Sequence, residues 1–305
     1  MTKRVSLFVR LAVVTSSLAL FACAPTANTD DVVPTEAVED AEVPVQEAAS
    51  DEAIASAERV VALTSLSADL TATLDADKLV GIPGSRLVSQ DSRFTNIPTI
   101  SEGRTEPDLE KIIDLQPDLV IGAKGFHDKT LQRLSDLDIP VLTADINSWE
   151  ALRTFTTTLA TALEVEADPL LARYDACLSE PPADSQSALV LVSRQPILAP
   201  NKNSWAGDFL SQLNVQNLAA DLQGESEFDG YVTLSAEKVI EANPDSIMVV
   251  KTGEDLLSQL KSEPFWNQLK ATQEENVLSF DYFGLVNPGS LASIEATCDQ
   301  LKNAL

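Results

Sequence analysis

A thirteen-residue pattern occurs twice in this chain and narrows what it can fold into. Leu109-Glu110-Lys111-Ile112-Ile113-Asp114-Leu115-Gln116-Pro117-Asp118-Leu119-Val120-Ile121 is echoed by Ala236-Glu237-Lys238-Val239-Ile240-Glu241-Ala242-Asn243-Pro244-Asp245-Ser246-Ile247-Met248. In each copy Glu-Lys opens a short helix and a proline follows seven residues after the glutamate. Proline cannot continue a helix, so the helix ends there. The apolar run after each Pro-Asp reads as a buried strand. Two copies at matching places in two halves predict two similar α/β lobes.

The surroundings of each copy agree. In the first half, residues 60–63, 79–82, 119–121 and 140–142 read as strands, with helices near 67–74, 112–115 and 129–136. In the second half, residues 188–192, 247–250 and 277–280 read as strands, with helices near 205–213, 253–261 and 289–303. Strands alternating with short helices predict a mainly parallel sheet in each lobe. Between the halves lie helical stretches over 149–163 and 168–179. Asp168-Pro169 reads as an N-cap and first helical residue, and Pro181-Pro182 stops the second stretch. The organisation expected is a first lobe over 58–165, a bridging helix over 166–182 and a second lobe over 183–305.

Composition removes several functions. The 305 residues suffice for two domains of about 120 residues each. There are 47 acidic and 21 basic residues, a net charge of -26. A chain with no basic footprint is a poor partner for nucleic acid. His127 is the only histidine, so a metal site built from several histidines is excluded. No GxGxxG or GxxxxGK[ST] stretch cradles a phosphate. GxSxG, HExxH and a Cys-His pairing are also missing, so no catalytic residue is assigned. An exported α/β enzyme and a lipoprotein that binds nothing stay open as alternatives of a different class.

The first residues read as an address. Lys3, Arg4 and Arg10 precede an apolar stretch from Leu11 to Ala22, the layout of a secretory signal over 1–22. The stretch ends Leu20-Phe21-Ala22-Cys23, which resembles the bacterial lipobox, a signal in which the chain is cut before a cysteine that carries lipid. Residues 24–57 hold nine acids and no lysine or arginine. Like charges repel and extend such a segment, so 23–57 reads as a disordered tether. Cys177 and Cys298 remain, and two thiols in an exported chain are candidates for one disulfide.

Two α/β lobes, a helical bridge, a lipobox and an acidic tether together resemble the substrate-binding lipoproteins of ABC importers. The nearest branch is that of ferric siderophores and cobalamin. Three motifs carry the likeness in order: Arg104-Thr105-Glu106-Pro107-Asp108-Leu109-Glu110 with Pro117-Asp118-Leu119-Val120-Ile121, then Glu237 to Asp245, then Glu263-Pro264-Phe265-Trp266-Asn267-Gln268-Leu269 before the Val277 strand. The resemblance implies two Rossmann-like lobes joined by a single bridging helix, with a ligand cleft between them. It implies a monomer without intrinsic cofactor or bare metal, whose ligand is an iron(III) chelate held by its own chelator. Its partners would be an ABC permease dimer with its ATPase subunits, and a membrane reached through lipid on Cys23. The place implied is the periplasmic or extracytoplasmic face.

Ligand contacts are expected from loops at the carboxyl ends of strands. First-lobe candidates are Arg86, Arg104, Lys124 and Phe126. Second-lobe candidates are Arg194, Trp205, Tyr231, Tyr282 and Phe283. A guanidinium fork suits the oxygens of a ferric chelate, and aromatic side chains supply rigid contact area. Arg104 matches an arginine of hydroxamate-siderophore binders. Asp229-Gly230, however, stands where those binders show Trp-Gly, which leaves citrate-type and catecholate chelates, haem and cobalamin open. Glu110 and Glu237, one per repeat, match glutamates that dock on permease arginines in that family.

Overall fold

The computed structural model describes residues 56–103, 105–182, 185–222, 226, 228–252 and 255–304. The signal segment, Cys23, the tether up to residue 55 and Arg104 lie outside the described residues. Ala57 is fully buried and donates its N–H to Ala162 O at 2.8 Å.

The first lobe runs β1 (Val60–Ala62), α1 (Ser65–Asp75), β2 (Leu79–Gly81), α2 (Arg86–Ser89), α3 (Leu109–Asp114), β3 (Leu119–Ala123), α4 (Asp128–Ser135) and β4 (Val141–Ala144). Its four strands form a parallel sheet in the order β2-β1-β3-β4. Polar caps set the helix starts. Thr64 Oγ1 accepts Ser67 N–H at 3.0 Å, and Asp108 Oδ1 accepts the N–H groups of Glu110 and Lys111.

Two helices follow, α5 (Trp149–Ala162) and α6 (Asp168–Leu178), with Pro169 in the first turn of α6. Trp149, Leu152, Phe155, Leu159 and Ala162 are buried on α5, one apolar face at helical spacing.

The second lobe runs β5 (Ser187–Leu191), β6 (Ser193–Arg194), β7 (Ile197–Pro200), α7 (Trp205–Gln212), β8 (Gln216–Asn217), β9 (Tyr231–Leu234), α8 (Ala236–Ala242), β10 (Ser246–Lys251), α9 (Leu256–Lys261), α10 (Lys270–Gln273) and β11 (Val277–Asp281). A kinked turn, α11 (Tyr282–Leu285), leaves helical geometry at Phe283 and Gly284, and α12 (Leu291–Ala304) closes the chain. The parallel sheet is ordered β11-β10-β5-β8. Read from the other edge it matches the first lobe strand for strand: β8 with β2, β5 with β1, β10 with β3, β11 with β4. What the second lobe adds is a small antiparallel sheet, β6-β7-β9, which the sequence reading passed over.

The repeat has a structural cause. In the first lobe the Asp118 carboxylate accepts the N–H groups of Glu58 and Arg59 at 2.9 and 2.8 Å, just before β1. In the second, the Asp245 carboxylate accepts the N–H of Ser187 at 3.1 Å and its hydroxyl at 2.6 Å, at the start of β5. Each Pro-Asp therefore clamps the amino end of the neighbouring central strand. Ser187 and an ion pair to Lys270 at 2.6 Å hold the Asp245 carboxyl down at about 2.

One apolar core runs through both lobes. It joins Val60, Leu119 and Ile121 of the first sheet to Val190, Met248 and Phe280 of the second through Trp149, Trp205 and Phe209. Trp149 stacks on Trp205 with ring centroids 5.4 Å apart, and the backbone N–H of Trp149 donates to Asp208 Oδ2 at 2.6 Å. Asp69 of α1, 3% exposed, accepts Leu291 N–H at 2.7 Å from the start of α12. Cys177 of α6 is bonded to Cys298 of α12, their Cα atoms 5.6 Å apart, and Arg173 pairs with Glu295 between the same helices at 2.7 Å. Covalent, ionic and apolar ties thus meet where the lobes join.

Candidate functional site

In both lobes the carboxyl ends of the parallel strands carry the candidate residues, the edge where open α/β sheets bind ligands. In the first lobe, Arg86 opens α2 just beyond β2 and is exposed. Ser85, its N-cap, is tied to Ser65 of α1 by a hydroxyl–hydroxyl bond of 2.6 Å. Lys124 follows β3 and reaches Asp145 beyond β4 at 2.7 Å. That hydrogen bond holds the ammonium above the usual lysine range, and the charges of Asp128 and of Asp229 in the second lobe add to it. Phe126, two residues on from Lys124, is 90% exposed.

His127 supports this loop. Its Nδ1 accepts Ala123 N–H at 3.0 Å, and burial lowers its pKa. Its lone-pair nitrogen is used inside the loop. Among the described residues no three His, Cys, Asp or Glu side chains converge as a metal site.

In the second lobe, Tyr231, Tyr282 and Phe283 form one group. Tyr231 begins β9, and Tyr282 follows β11. Burial pushes the Tyr231 phenol up to about 12, with the neighbouring Tyr282 adding to it. Tyr282 and Phe283 meet edge to face with centroids 5.3 Å apart. Phe283 also packs on Gly289. A Cβ at that glycine would collide with Phe283 and come within 2.9 Å of Leu87 Cδ1 of the first lobe. Leu87 of the first lobe and Phe283 of the second thus meet at Gly289.

Two candidates fall outside this group. Trp205 is 3% exposed. Its Nε1–H donates to Gly284 O at 2.8 Å, and its ring packs against both Trp149 and Phe209. It is a packing anchor of the lobe junction and offers no surface to a ligand, because a helix start near a strand end is also where a junction is built. Arg194 sits on the β6–β7 hairpin and pairs with Glu263 at 3.1 Å. It lines a cavity of about 320 Å³ with Ser193, Gln195, Thr252, Leu256 and Gln259, none of which belongs to the tyrosine group. Like Lys124 it is paired within its own lobe, so it is its place in this cavity that separates it from the tyrosine group.

The sequence reading missed Phe228, 58% exposed beside Asp229, and Leu87 next to Arg86. An Asp-Gly turn flanked by an aromatic was the available signal for Phe228. Glu110 and Glu237 are both exposed and hold the second position of α3 and α8, the same place in each repeat. The N–H of Glu237 itself and the Ser235 hydroxyl lower its carboxyl.

The two matching parallel sheets, joined by one apolar core, define a two-lobed α/β protein of the binding-protein class. The family model for periplasmic binding proteins matches residues 60–281, and the chain belongs to that family. It is 29% identical over 204 residues to the iron-uptake system-binding protein of Bacillus subtilis, covering 61% of this chain and 60% of that one. It is 26% identical over 207 residues to the Fe(3+)-citrate-binding protein of the same organism, covering 64% and 62%. The match thus spans about three fifths of the length of these relatives. An ABC transporter substrate-binding protein of Listeria monocytogenes has the same fold, with a TM-score of 0.69 at 21% identity, over 81% of this chain and 98% of that one.

Proposed function

We propose that this chain is the substrate-binding component of an ABC importer, which captures a ferric siderophore and delivers it to a permease dimer with its ATPase subunits. The observation that carries the reading is the unlike surfaces that the two lobes offer among the candidate residues. Exposed cations, Arg86 and Lys124, stand on the first lobe, and the half-buried aromatics Tyr231, Tyr282 and Phe283 on the second. Cations suit the oxygens of an iron(III) chelate and aromatics its organic frame. The names of the two relatives, one for iron uptake and one for ferric citrate, support an iron chelate. In this reading the protein binds and does not catalyse, lipid on Cys23 holds it at the extracytoplasmic face, and Glu110 and Glu237 meet the permease. Cobalamin or haem in the same cleft is the second reading.

The test is isothermal titration of the purified chain with ferric siderophores, iron(III) citrate, cobalamin, haem and uncomplexed iron(III). Saturable binding of an iron chelate, with none of bare iron, is the outcome expected. Binding of cobalamin alone, or of bare iron as tightly as its chelates, overturns the siderophore assignment.

A further inference from the structure

Two carboxylates cross between the lobes, and they do so in the same way. Asp69 lies on α1, the helix after β1, and its Oδ2 accepts Leu291 N–H at 2.7 Å. Leu291 is the first residue of α12, the helix beyond the second lobe's last strand. Asp208 lies on α7, the first helix after β5, and its Oδ2 accepts the backbone N–H of Trp149 at 2.6 Å. Trp149 is the first residue of α5, the helix beyond the first lobe's last strand. Since β5 matches β1 and β11 matches β4, each contact is the other with the lobes exchanged. The likeness reaches into detail. The residue before each held N–H is a capping serine: Ser290 Oγ accepts Ser293 N–H at 3.2 Å, and Ser148 Oγ accepts Ala151 N–H at 3.1 Å. Leu291 and Trp149 are each 2% exposed, and both side chains lie in the one shared core.

A capping serine satisfies one of the N–H groups that a helix start leaves unpaired, and the first N–H still needs an acceptor. Where that residue is buried, water is a poor substitute, and a carboxylate also meets the positive end of the helix dipole. In both places the acceptor comes from the other lobe, so neither helix start is complete without it. The two places are also joined by contact. Gly284 presses on α12, where a Cβ would come within 2.3 Å of Ser293 O. Gly284 O accepts Trp205 Nε1–H at 2.8 Å, and Trp205 stacks on Trp149. Trp205 and Asp208 share α7. A shift of α12 at Leu291 is thus passed through Gly284 and Trp205 to the helix start that Asp208 holds.

We infer that Asp69 and Asp208 act as one reciprocal latch that sets the angle between the lobes, each positioning a helix of the other lobe. Breaking either half loosens both. Building on the importer reading, the latch also governs how firmly a ligand is held, because α1, α5 and α12 start beyond the carboxyl ends of β1, β4 and β11. The two aspartates are positioning residues and touch no ligand themselves.

The experiment compares the purified full chain with Asp69→Ala, Asp208→Ala, the double alanine variant and the matching asparagine variants. Urea unfolding is the first readout. Contacts with no shared partner lose stability additively, whereas for one latch the midpoint shift of the double alanine variant falls clearly short of the sum of the single shifts. The second readout is the near-ultraviolet circular dichroism of the stacked Trp149–Trp205 pair. The Trp149 Nε1 makes no hydrogen bond among the described residues, so packing alone orients that ring. Asp69→Ala, at the other half of the latch, changes this signal, and Asp69→Asn, which keeps an oxygen for Leu291 N–H, restores it. The third readout is dissociation of iron(III) citrate or an iron(III) tris-catecholate, whichever the parent binds. Either alanine variant releases it about three- to tenfold faster, the net worth of one hydrogen bond read as a rate. Additive midpoint shifts, or a tryptophan signal that Asp69→Ala leaves unchanged, overturn the latch. Should the double alanine variant not fold, the tryptophan signal of Asp69→Ala decides in the same sense. Unchanged dissociation overturns the bearing of the latch on the ligand. A parent that binds neither chelate counts against the siderophore reading, while the latch stands or falls on the first two readouts.

Discussion

Asp69 is the side chain whose loss should most disturb the relation between the lobes. Its carboxylate takes Leu291 N–H at 2.7 Å through one oxygen and Arg93 Nη2 at 2.7 Å through the other. The first bond spans 222 residues of sequence and is buried. It also sets a negative charge on the amino end of α12, where the helix dipole favours it. Asp69→Ala leaves that N–H without a partner. A buried hydrogen bond to a charged group is worth about 1.5–3 kcal/mol. Arg93 is 47% exposed and keeps Asp91, 2.5 Å away, so its share is that of a surface pair, about 0–1 kcal/mol. The sum is roughly 2–4 kcal/mol of stability. Asp69→Asn, which keeps an oxygen for Leu291 N–H, should lose less. Urea unfolding at neutral pH measures both through the midpoint at unchanged slope. A loss below about 1 kcal/mol for Asp69→Ala would refute the reasoning, because it would mean that Leu291 N–H finds water or another acceptor at no cost. A broadened or two-step transition would go further and identify Asp69 as the tie that makes the lobes unfold together.

Three more outcomes are expected. Replacing Cys177 and Cys298 by serine opens a loop with a sequence separation of 121. The chain-entropy relation puts the loss at about 5 kcal/mol as an upper figure, and guanidinium unfolding indifferent to a reductant would contradict it. Asp245→Asn should be less stable than the parent at neutral pH, because the carboxyl sits at about 2 against an ordinary 3.8. A depressed acid stabilises above its unfolded value, so the difference should shrink as pH falls from about 4 towards 2. Acid titration by circular dichroism reads it, and a constant difference down to pH 2 would count against the clamp. On the docking reading, reversing Glu110 and Glu237 to lysine should leave ligand affinity within about twofold, while uptake into cells falls sharply through like-charge repulsion at the permease. Normal uptake by that double variant would remove both from the docking role.

The parallel strands apart from the two-residue β8, and the longer helices, were legible because each has a clean signal. Val60–Ala62, Leu119–Ala123 and Ser246–Lys251 are short apolar runs bounded by turn residues, and α5 repeats its apolar residues at helical spacing. The antiparallel β6-β7-β9 sheet was not, since β6 has two residues and β7 and β9 four each. Pairing among such pieces is decided by tertiary contacts, which no local pattern encodes. Trp205 and Arg194 illustrate the same limit at the site. Sequence placed both near strand ends, but whether a tryptophan there faces a ligand or a neighbouring helix depends on Trp149 and Gly284, far away in the chain. Arg194 looked available until its partner Glu263 was brought to it by α9. Phe228 was hidden for the opposite reason: a lone phenylalanine in an acidic stretch reads as a core residue until its surroundings are known.

The repeat that made the family recognisable lies at the wrong end of the sheets to report the ligand. Asp118 and Asp245 act at the amino ends of β3 and β10, where they fasten β1 and β5. Arg86, Lys124, Phe126, Tyr282 and Phe283 follow the opposite, carboxyl ends of β2, β3 and β11. Five residues of β3 separate Asp118 from Lys124, roughly 16 Å of extended chain. The clamp needs a carboxylate at one register and a proline to end the helix before it, a demand that any lobe of this design meets in the same way. The carboxyl edge carries no such demand on the fold. Its loops need only be tied at their bases, as Ala123–His127 and Ser226–Tyr231 are, and their tips are free to vary with the ligand. Family and ligand are therefore written in different residues. The first can be read from a repeated helix ending, and the second only from which side chains the tied turns hold out into the cleft.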